Sequence, residues 1–105
     1  MTAEVLTAMA DPTRRLILER LSAHGQATAT VLAGELPVSR QAVVQHLAVL
    51  DRVGLVTSHR DGRERRYTVR PRGLIDTARW MNEVAAQWNA RLVAIRQLAE
   101  NPDEG

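Results

Sequence analysis

The hydrophobic positions between residues 36 and 56 repeat with the spacing of a helix that buries one face. Three apolar residues recur at i, i+4 and i+7, namely Val43, Leu47 and Leu50. Pro37 stops the preceding helix, Ser39 occupies the N-cap position, and Gly54 marks the end of the helix. The pattern predicts a half-buried helix between Ser39 and Gly54.

The opposite face of this helix is polar and free to contact a partner. Its first turns hold Arg40 and Gln41, two residue types that hydrogen-bond base edges in the major groove of DNA. His46 precedes Leu47 and is expected to pack or to contact a phosphate. We therefore predict a DNA-recognition helix whose contacts come from Ser39, Arg40, Gln41, Val44, Gln45 and His46.

Three shorter helices are predicted before the recognition helix. The first covers residues 2–10, and the second runs from the N-cap Asp11 to about His24. The third covers residues 28–36 and lies three to four residues before the recognition helix. This spacing fits a helix-turn-helix.

After Gly54 the pattern changes to the alternation of two strands. The segments LVTSHR and RERRYTV flank Asp61-Gly62, which suits the two central residues of a type I′ turn. Such a turn would anchor the base of the hairpin on the core through Val56, Tyr67 and Val69. The expected cross-strand pairs are Arg60 with Arg63, Ser58 with Arg65, Val56 with Tyr67, and His59 with Glu64.

The tip of this hairpin is rich in arginine, which suits contacts to DNA phosphates or insertion into the minor groove. The predicted contacts are Arg60, Arg63, Arg65 and Arg66. The alternative is a solvated charged edge that prevents strand aggregation. Arg66 shares a face with Thr57 and could instead pair with an acid.

Pro71 and Gly73 mark a boundary, and a long helix is predicted to follow them to about Ala99. Its apolar residues are spaced alternately by four and three positions, as in the seam of a coiled coil: Leu74, Ala78, Met81, Ala85, Trp88, Leu92, Ile95 and Ala99. Trp80 and Val84 widen this face. The stripe is too long for three short helices to cover, so we expect a twofold mate to bury it. The two tryptophans suit such an interface, and the alternative is a pocket for a small apolar ligand.

Composition adds a charge asymmetry to this pattern. All 14 basic residues of the 105 are arginine, and residues 39–72 have a local balance of +5 while the remainder has −3. A basic centre between acidic ends is typical of a nucleic-acid face. The length suits one domain, residues 1–100, with a disordered polar tail at 101–105. Without an apolar run of membrane length or a signal-peptide pattern, the expected location is the cytoplasm.

The sequence predicts neither a catalytic site nor a metal-binding site. The chain has no cysteine, and its histidines fall on three separate elements: His24, His46 and His59. No acid pair, nucleophile with a base, or glycine-rich phosphate loop is found. We therefore expect no enzyme activity, no metal and no cofactor.

The motifs together resemble the ArsR-type winged-helix repressors of bacteria. The resemblance is carried by MADPTRR (residues 9–15), by LPVSRQAVVQHLAVL (residues 36–50) and by GRERRYTV (residues 62–69). It implies a mainly α fold with a two-stranded β-hairpin, a winged helix-turn-helix in the order α-α-α-α-β-β-α. It also implies a homodimer on a palindromic operator, often autoregulatory, built through the first and last helices. The first helix would contribute Val5, Leu6 and Met9.

Two departures qualify this resemblance. The metal sensors of the family place cysteines in the third helix or acids and histidines in the last, and this chain has neither set, so it resembles the metal-independent branch. Val44 stands where members commonly have a serine, and a valine packs on a thymine methyl rather than donating a hydrogen bond. The alternatives to an effector-free repressor are a winged-helix protein-interaction module and a repressor gated by a small apolar effector.

Overall fold

The computed structural model describes residues 2–100; the predicted disordered tail, residues 101–105, lies outside the described residues. Its helices and strands follow one another in the order α1 (Thr2–Met9), α2 (Pro12–His24), β1 (Ala27–Thr28), α3 (Ala29–Glu35), α4 (Arg40–Arg52), β2 (Val56–Asp61), β3 (Glu64–Val69) and α5 (Arg72–Glu100). The predicted mainly α fold with a hairpin before the last helix is confirmed.

The core is aliphatic and is built mainly by α2, α3, α4 and the start of β2. Its largest fully buried side chains are Ile17, Leu21, Leu32, Leu47, Leu50, Leu55, Val43 and Val56. Burial of such a side chain stabilises the fold by about 1.5–3 kcal/mol relative to leaving it in water. The three predicted core positions of α4 are therefore confirmed.

The helices begin where polar caps satisfy their free N–H groups. Asp11 accepts hydrogen bonds from the backbone N–H groups of Thr13 (2.8 Å) and Arg14 (3.2 Å) and caps α2 as predicted. Thr28 caps α3 rather than belonging to it, since its Oγ1 accepts from the N–H of Val31. Each cap stabilises its helix because an N-terminal N–H has no partner inside the helix.

The sheet has a third strand that the sequence pattern did not predict. β1 pairs antiparallel with β3, which also pairs with β2, so the strand order is β1-β3-β2. Ala27 lies opposite Tyr67, and Thr28 lies opposite Arg66. The two residues of β1 lead directly into α3, so the sheet joins the hairpin to the first helix of the helix-turn-helix.

The register of the hairpin corrects the predicted turn. Asp61 pairs with Glu64, so the central residues are Gly62 and Arg63 rather than Asp61 and Gly62. Gly62 has a φ of +65°, and no residue other than glycine has a positive φ in the part of the chain described. A positive φ at the first central residue alone matches a type II′ turn, which favours glycine there and spares an aspartate the strain of a type I′ turn.

The predicted cross-strand pairs are each wrong by two positions as a result. The observed partners are Arg60 with Arg65, His59 with Arg66, Ser58 with Tyr67, and Val56 with Val69. A shift of two residues keeps every side chain on its predicted face, because side chains in a strand alternate with a period of two. Val56 is accordingly buried, and Tyr67 and Val69 pack against the core as expected.

Helix α5 makes the molecule elongated. Its 29 residues extend about 44 Å at 1.5 Å per residue, and the chain measures 73 × 24 × 21 Å. Its first turns pack beside α1, where Thr77 is buried and donates a hydrogen bond to the carbonyl of Gly73. Across residues 2–100, no helix is sufficiently long and apolar to cross a membrane.

Candidate nucleic-acid interface

Helix α4 has a fully buried face and an exposed face, as the sequence predicts. Val43, Leu47 and Leu50 have no exposed surface. The residues opposite them are exposed: Arg40, Gln41, Val44, Gln45 and Ala48. This face carries no acidic residue before Asp51, so an anionic partner meets no repulsion along its first three turns.

The connection before α4 orients this helix. Four residues separate Glu35, at the end of α3, from Arg40, and Ser39 Oγ accepts a hydrogen bond of 3.1 Å from the N–H of Ala42. Helices α3 and α4 pack on each other through the core, with Leu32 and Leu47 both fully buried. The two helices form the predicted helix-turn-helix.

Arg40 is held by a residue that the sequence analysis did not identify. Its Nε donates a hydrogen bond of 3.1 Å to Oγ1 of Thr30, in the first turn of α3. Among residues 2–100, the two Nη groups of Arg40 have no hydrogen-bond partner, so the face that pairs bidentately with guanine or phosphate is open. Thr30 and Arg40 are ten positions apart in sequence, and no local pattern marks their contact.

The hairpin has two chemically different faces. One face continues the core through Val56 and Val69 and ends at the tip in the opposed side chains of Arg60 and Arg65. Arg65 Nη1 donates to Ser58 Oγ at 3.0 Å on this same face. Within the described residues, neither arginine forms an ion pair.

The other face of the hairpin is neutralised. Arg66 Nε lies 3.0 Å from Asp61 Oδ2, and its Nη2 lies 3.2 Å from Glu64 Oε2. The alternative of an acid partner for Arg66 is therefore the one that this structure adopts. Arg63 sits in the turn, where its side chain is exposed. The cationic surface of the tip thus comes from Arg60, Arg63 and Arg65.

The three histidines lie apart from one another. His24 Nε2 contacts the carboxylate of Glu35 at 2.7 Å, His46 Nδ1 lies 3.3 Å from Arg14 Nη1, and His59 faces Arg66 rather than the predicted Glu64. Residues 2–100 contain no group of three or more histidine, cysteine or acidic side chains placed to hold a metal ion.

The apolar stripe of α5 is exposed along the part that extends beyond the core. Trp88 is 56% exposed, and its ring lies 5.4 Å from the Arg91 guanidinium carbon. Other exposed residues of the stripe or its edge are Trp80, Met81, Ala85, Leu92, Ile95 and Leu98. In α1, Leu6 is exposed, whereas Val5 is 3% exposed and belongs to the chain's own core. Met9 and Leu74 also pack partly against that core.

Within residues 2–100, three of the surface cavities lie beside α1, and the linings of these three include neither Trp80 nor Trp88. One, of about 420 Å³, is lined by Met9, Leu18, Val69 and Leu74 with polar neighbours. A second, of about 380 Å³, lies between α1 and the end of α4 and includes Arg14, Val49 and Arg52. The third, of about 290 Å³, includes Val5, Gly54 and Gly73.

Comparison with known proteins agrees with this geometry. Residues 9–59 match the family described as a helix-turn-helix domain. The chain is 43% identical over 94 residues to the HTH-type transcriptional regulator Rv2034 of Mycobacterium tuberculosis, covering 90% of this chain and 84% of that protein. It is 34% identical to the transcriptional repressor SdpR of Bacillus subtilis, covering 73% of this chain and 84% of SdpR.

A solved structure extends the likeness to nearly the whole chain. The ArsR-like transcriptional regulator from Rhodococcus sp. RHA1 superposes with a TM-score of 0.82 at 44% sequence identity. The alignment covers 93% of this chain and 92% of that one. The similarity therefore includes α5 and the hairpin as well as the helix-turn-helix.

Proposed function

The chain belongs to the ArsR family of winged helix-turn-helix transcriptional regulators, and from this premise we propose that it is a homodimeric repressor of a palindromic operator. Residues 2–100 act as one DNA-binding domain, with α4 in the major groove and the hairpin, residues 56–69, as the wing. Occupation of the operator excludes polymerase from the promoter, and control of its own gene is included in the proposal. The protein acts in the cytoplasm, where that DNA lies.

The exposed face of α4 is the observation that supports DNA binding most directly. Arg40 and Gln41 project from its first turn, and Val44 and Gln45 follow one turn later. Arginine pairs with guanine O6 and N7, glutamine pairs with adenine, and valine packs on a thymine methyl. A protein-interaction module would favour acidic or bulky apolar residues on this face, and its polar character weighs against that alternative.

The wing supplies contacts to the DNA backbone in this proposal. Arg60, Arg63 and Arg65 lie at its tip without an acidic partner among the residues described. Each phosphate that they neutralise releases counterions and strengthens binding to any duplex. Arg66 contributes less, because Asp61 and Glu64 already neutralise it.

A second copy of the chain is the proposed partner for the exposed stripe of α5. The interface comprises Leu6, Ala78, Met81, Ala85, Trp88, Leu92 and Ile95, with Met9 and Leu74 at its edge and Val5 left to the core. An apolar stripe of this length is rare on a monomer, and a twofold arrangement buries the same patch on both copies. It would also set two recognition helices about 34 Å apart, one turn of DNA.

A repressor gated by a small apolar effector is the alternative form of this function. The cavities of about 380 and 420 Å³ beside α1 fall within the size range of small-molecule sites. Thermal unfolding against a panel of metabolites distinguishes the two forms, because a ligand that binds only the folded state raises the transition temperature.

Footprinting across the upstream region of the gene tests the proposal. We expect a protected segment with two inverted half-sites about 10 base pairs apart from centre to centre. Affinity should fall by orders of magnitude between about 50 and 200 mM salt. A protein that protects no segment there, selects no sequence from a random duplex pool and binds without salt dependence would contradict it.

A further inference from the structure

Arg14 joins three helices through one guanidinium group. Its Nε donates to the carbonyl of Ala8 in α1 at 2.7 Å, and its Nη1 lies 3.8 Å from Oδ2 of Asp11, the cap of α2. The same Nη1 lies 3.3 Å from Nδ1 of His46 in α4. Only 17% of the Arg14 side chain is exposed, so this arrangement is largely shielded from water.

The contact to His46 fixes where the imidazole carries its proton. A guanidinium has only donors, so the Nδ1 atom that faces it must be an acceptor and carry no hydrogen. The proton of the neutral ring is therefore on Nε2. In the described part of the chain, Nε2 has no hydrogen-bond partner, which leaves one N–H donor available.

The position of His46 on α4 suits this donor to the DNA backbone. His46 is half-buried and follows the exposed Gln45, so it lies at the edge between the exposed face and the core. Side chains at the edge of a helix in the major groove face the phosphates that border the groove, whereas the central side chains face the bases. Phosphate oxygens accept N–H hydrogen bonds.

We propose that Arg14 is a positioning residue for DNA binding, which holds His46 in the Nε2–H form so that this N–H donates to a phosphate of the operator. The phosphate contact rests on the proposed function, whereas the orientation of His46 is a property of the free protein. The same arginine fixes the end of α1 and the start of α2 against α4.

Arg15 provides a matched control. Its Nη1 donates to the carbonyl of Met9 at 2.7 Å, so it also binds the end of α1, but its side chain is exposed and the contact to α4 is made by Arg14. Arg14→Gln and Arg15→Gln each remove one positive charge and one bond to α1. A difference between the two variants therefore reports the contacts that Arg14 alone makes, to His46 and to Asp11, and the spectra and the rescue experiment below isolate the contact to His46.

The first measurement uses the protein without DNA. Long-range 1H–15N correlation spectra of histidine-labelled protein distinguish Nδ1–H from Nε2–H. We expect the Nε2–H form for His46 in the wild type and in Arg15→Gln, and a mixture of forms in Arg14→Gln. A wild-type Nδ1–H form, or an unchanged spectrum in Arg14→Gln, would overturn the proposal.

The second measurement is affinity for the mapped operator. We expect Arg14→Gln to bind about tenfold more weakly, the loss typical of one hydrogen bond to a charged group, and Arg15→Gln to stay within about twofold of the wild type. Equal losses in both variants would overturn the positioning role. A wild type that binds no duplex would overturn the proposed function and the phosphate contact together, while the spectra still decide the orientation of His46.

A rescue experiment separates positioning from folding. His46→Gln places an amide N–H near the position of Nε2–H and needs no control of tautomer. In that background we expect Arg14→Gln to cost less than about threefold in affinity, because coupled residues are non-additive. A full tenfold loss in both backgrounds would mean that Arg14 acts through the fold, and would overturn the proposal even if Arg14→Gln alone were unstable.

Discussion

Arg60 and Arg65 lie directly opposite each other across the two strands of the wing. Like charges in this position destabilise a hairpin, since the two side chains share one face at short range. An anionic partner between or beside them removes that repulsion. The pair therefore lowers the stability of the free hairpin but favours binding to DNA.

The wing predicts a measurable change in salt dependence. We expect weaker binding to operator and random DNA alike from each of three variants, Arg60→Ala, Arg63→Ala and Arg65→Ala. In each, the magnitude of the slope of log affinity against log salt should fall by about 0.9 for each phosphate that is no longer neutralised. Arg66→Ala should change the slope less, because Asp61 and Glu64 already neutralise that side chain. An Arg66→Ala slope equal to that of Arg65→Ala would contradict this division of the wing.

Replacement of Arg40 or of Thr30 is expected to reduce the selectivity of the protein for its operator over random DNA. Arg40→Ala and Gln41→Ala should each cost about 1–3 kcal/mol in discrimination between operator and random DNA. Thr30→Val keeps the shape of the side chain but removes the acceptor for Arg40 Nε, so we expect a selectivity loss of about 0.5–1.5 kcal/mol. Thr30→Ser keeps the hydroxyl and is the control. Competition titrations measure both effects, and equal selectivity in the two Thr30 variants would rule out the hydrogen bond as their cause.

Trp88 predicts a link between dimerisation and DNA binding. Trp88→Ala removes a large aromatic side chain from the proposed interface. Removal of a buried aromatic side chain typically costs about 3–5 kcal/mol of stability, and here we expect this loss to cause dissociation of the dimer and weaker operator binding. Ile75→Ala is the control, since Ile75 is 51% exposed on the same helix but lies off the predicted stripe. Sedimentation at micromolar concentration measures the result. A monomeric wild type, or a Trp88→Ala protein that stays fully dimeric, would exclude this part of α5 from the interface.

The Asp11 carboxylate is expected to make the stability of the fold depend in part on pH. The N–H of Arg14 lowers the pKa of the Asp11 carboxyl below the ordinary value of 3.8. The N–H of Thr13 and the charge of Arg14 lower this pKa further, although partial burial opposes them. The resulting stabilisation is present above the pKa of the unfolded chain and is lost as the pH falls through the lower folded value. Asp11→Asn should therefore be less stable than the wild type at pH 7, and the difference should vanish near pH 2. A difference that persists at low pH in chemical unfolding would assign the effect to something other than this carboxylate.

Metal ions are expected to leave DNA binding unchanged. The chain has no cysteine, and its histidines contact Glu35 and Arg14 or face Arg66 on separate elements. A zinc or nickel site needs several ligands at one point. Stoichiometric Zn²⁺, Cd²⁺, Ni²⁺ or arsenite should not release the operator. Calorimetry that found tight binding, lost on replacement of one histidine, would contradict this expectation.

Helix periodicity carried most of what the sequence could predict. The buried face of α4, the cap at Asp11 and the extent of α5 each depend on residues within a few turns of one another, and each is confirmed. The exposed stripe on α5 was also predictable, because its length exceeds what the small core can cover. These features are local in the chain or depend only on size.

The features that could not be predicted depend on contacts between distant segments. Strand β1 has only two residues, and its pairing with β3 joins positions about 40 apart. The contacts of Thr30 with Arg40 and of Arg14 with His46 likewise depend on how helices pack. The prediction of the turn was wrong for a different reason. Both Asp61-Gly62, as predicted, and Gly62-Arg63, as observed, suit the centre of a two-residue loop, and only the pairing register of the strands decides between them.

The short strand β1 also divides the wing into a clamped base and a free end. β3 is paired on both sides only at Arg66 and Tyr67. Between Arg66 and the turn, each strand of the hairpin is paired only with the other. From this pairing we expect bending to be confined to that end, with the base of the hairpin moving together with α3. We expect the protein to adapt to DNA of different minor-groove width by flexing the tip alone, without changing the depth at which α4 enters the major groove.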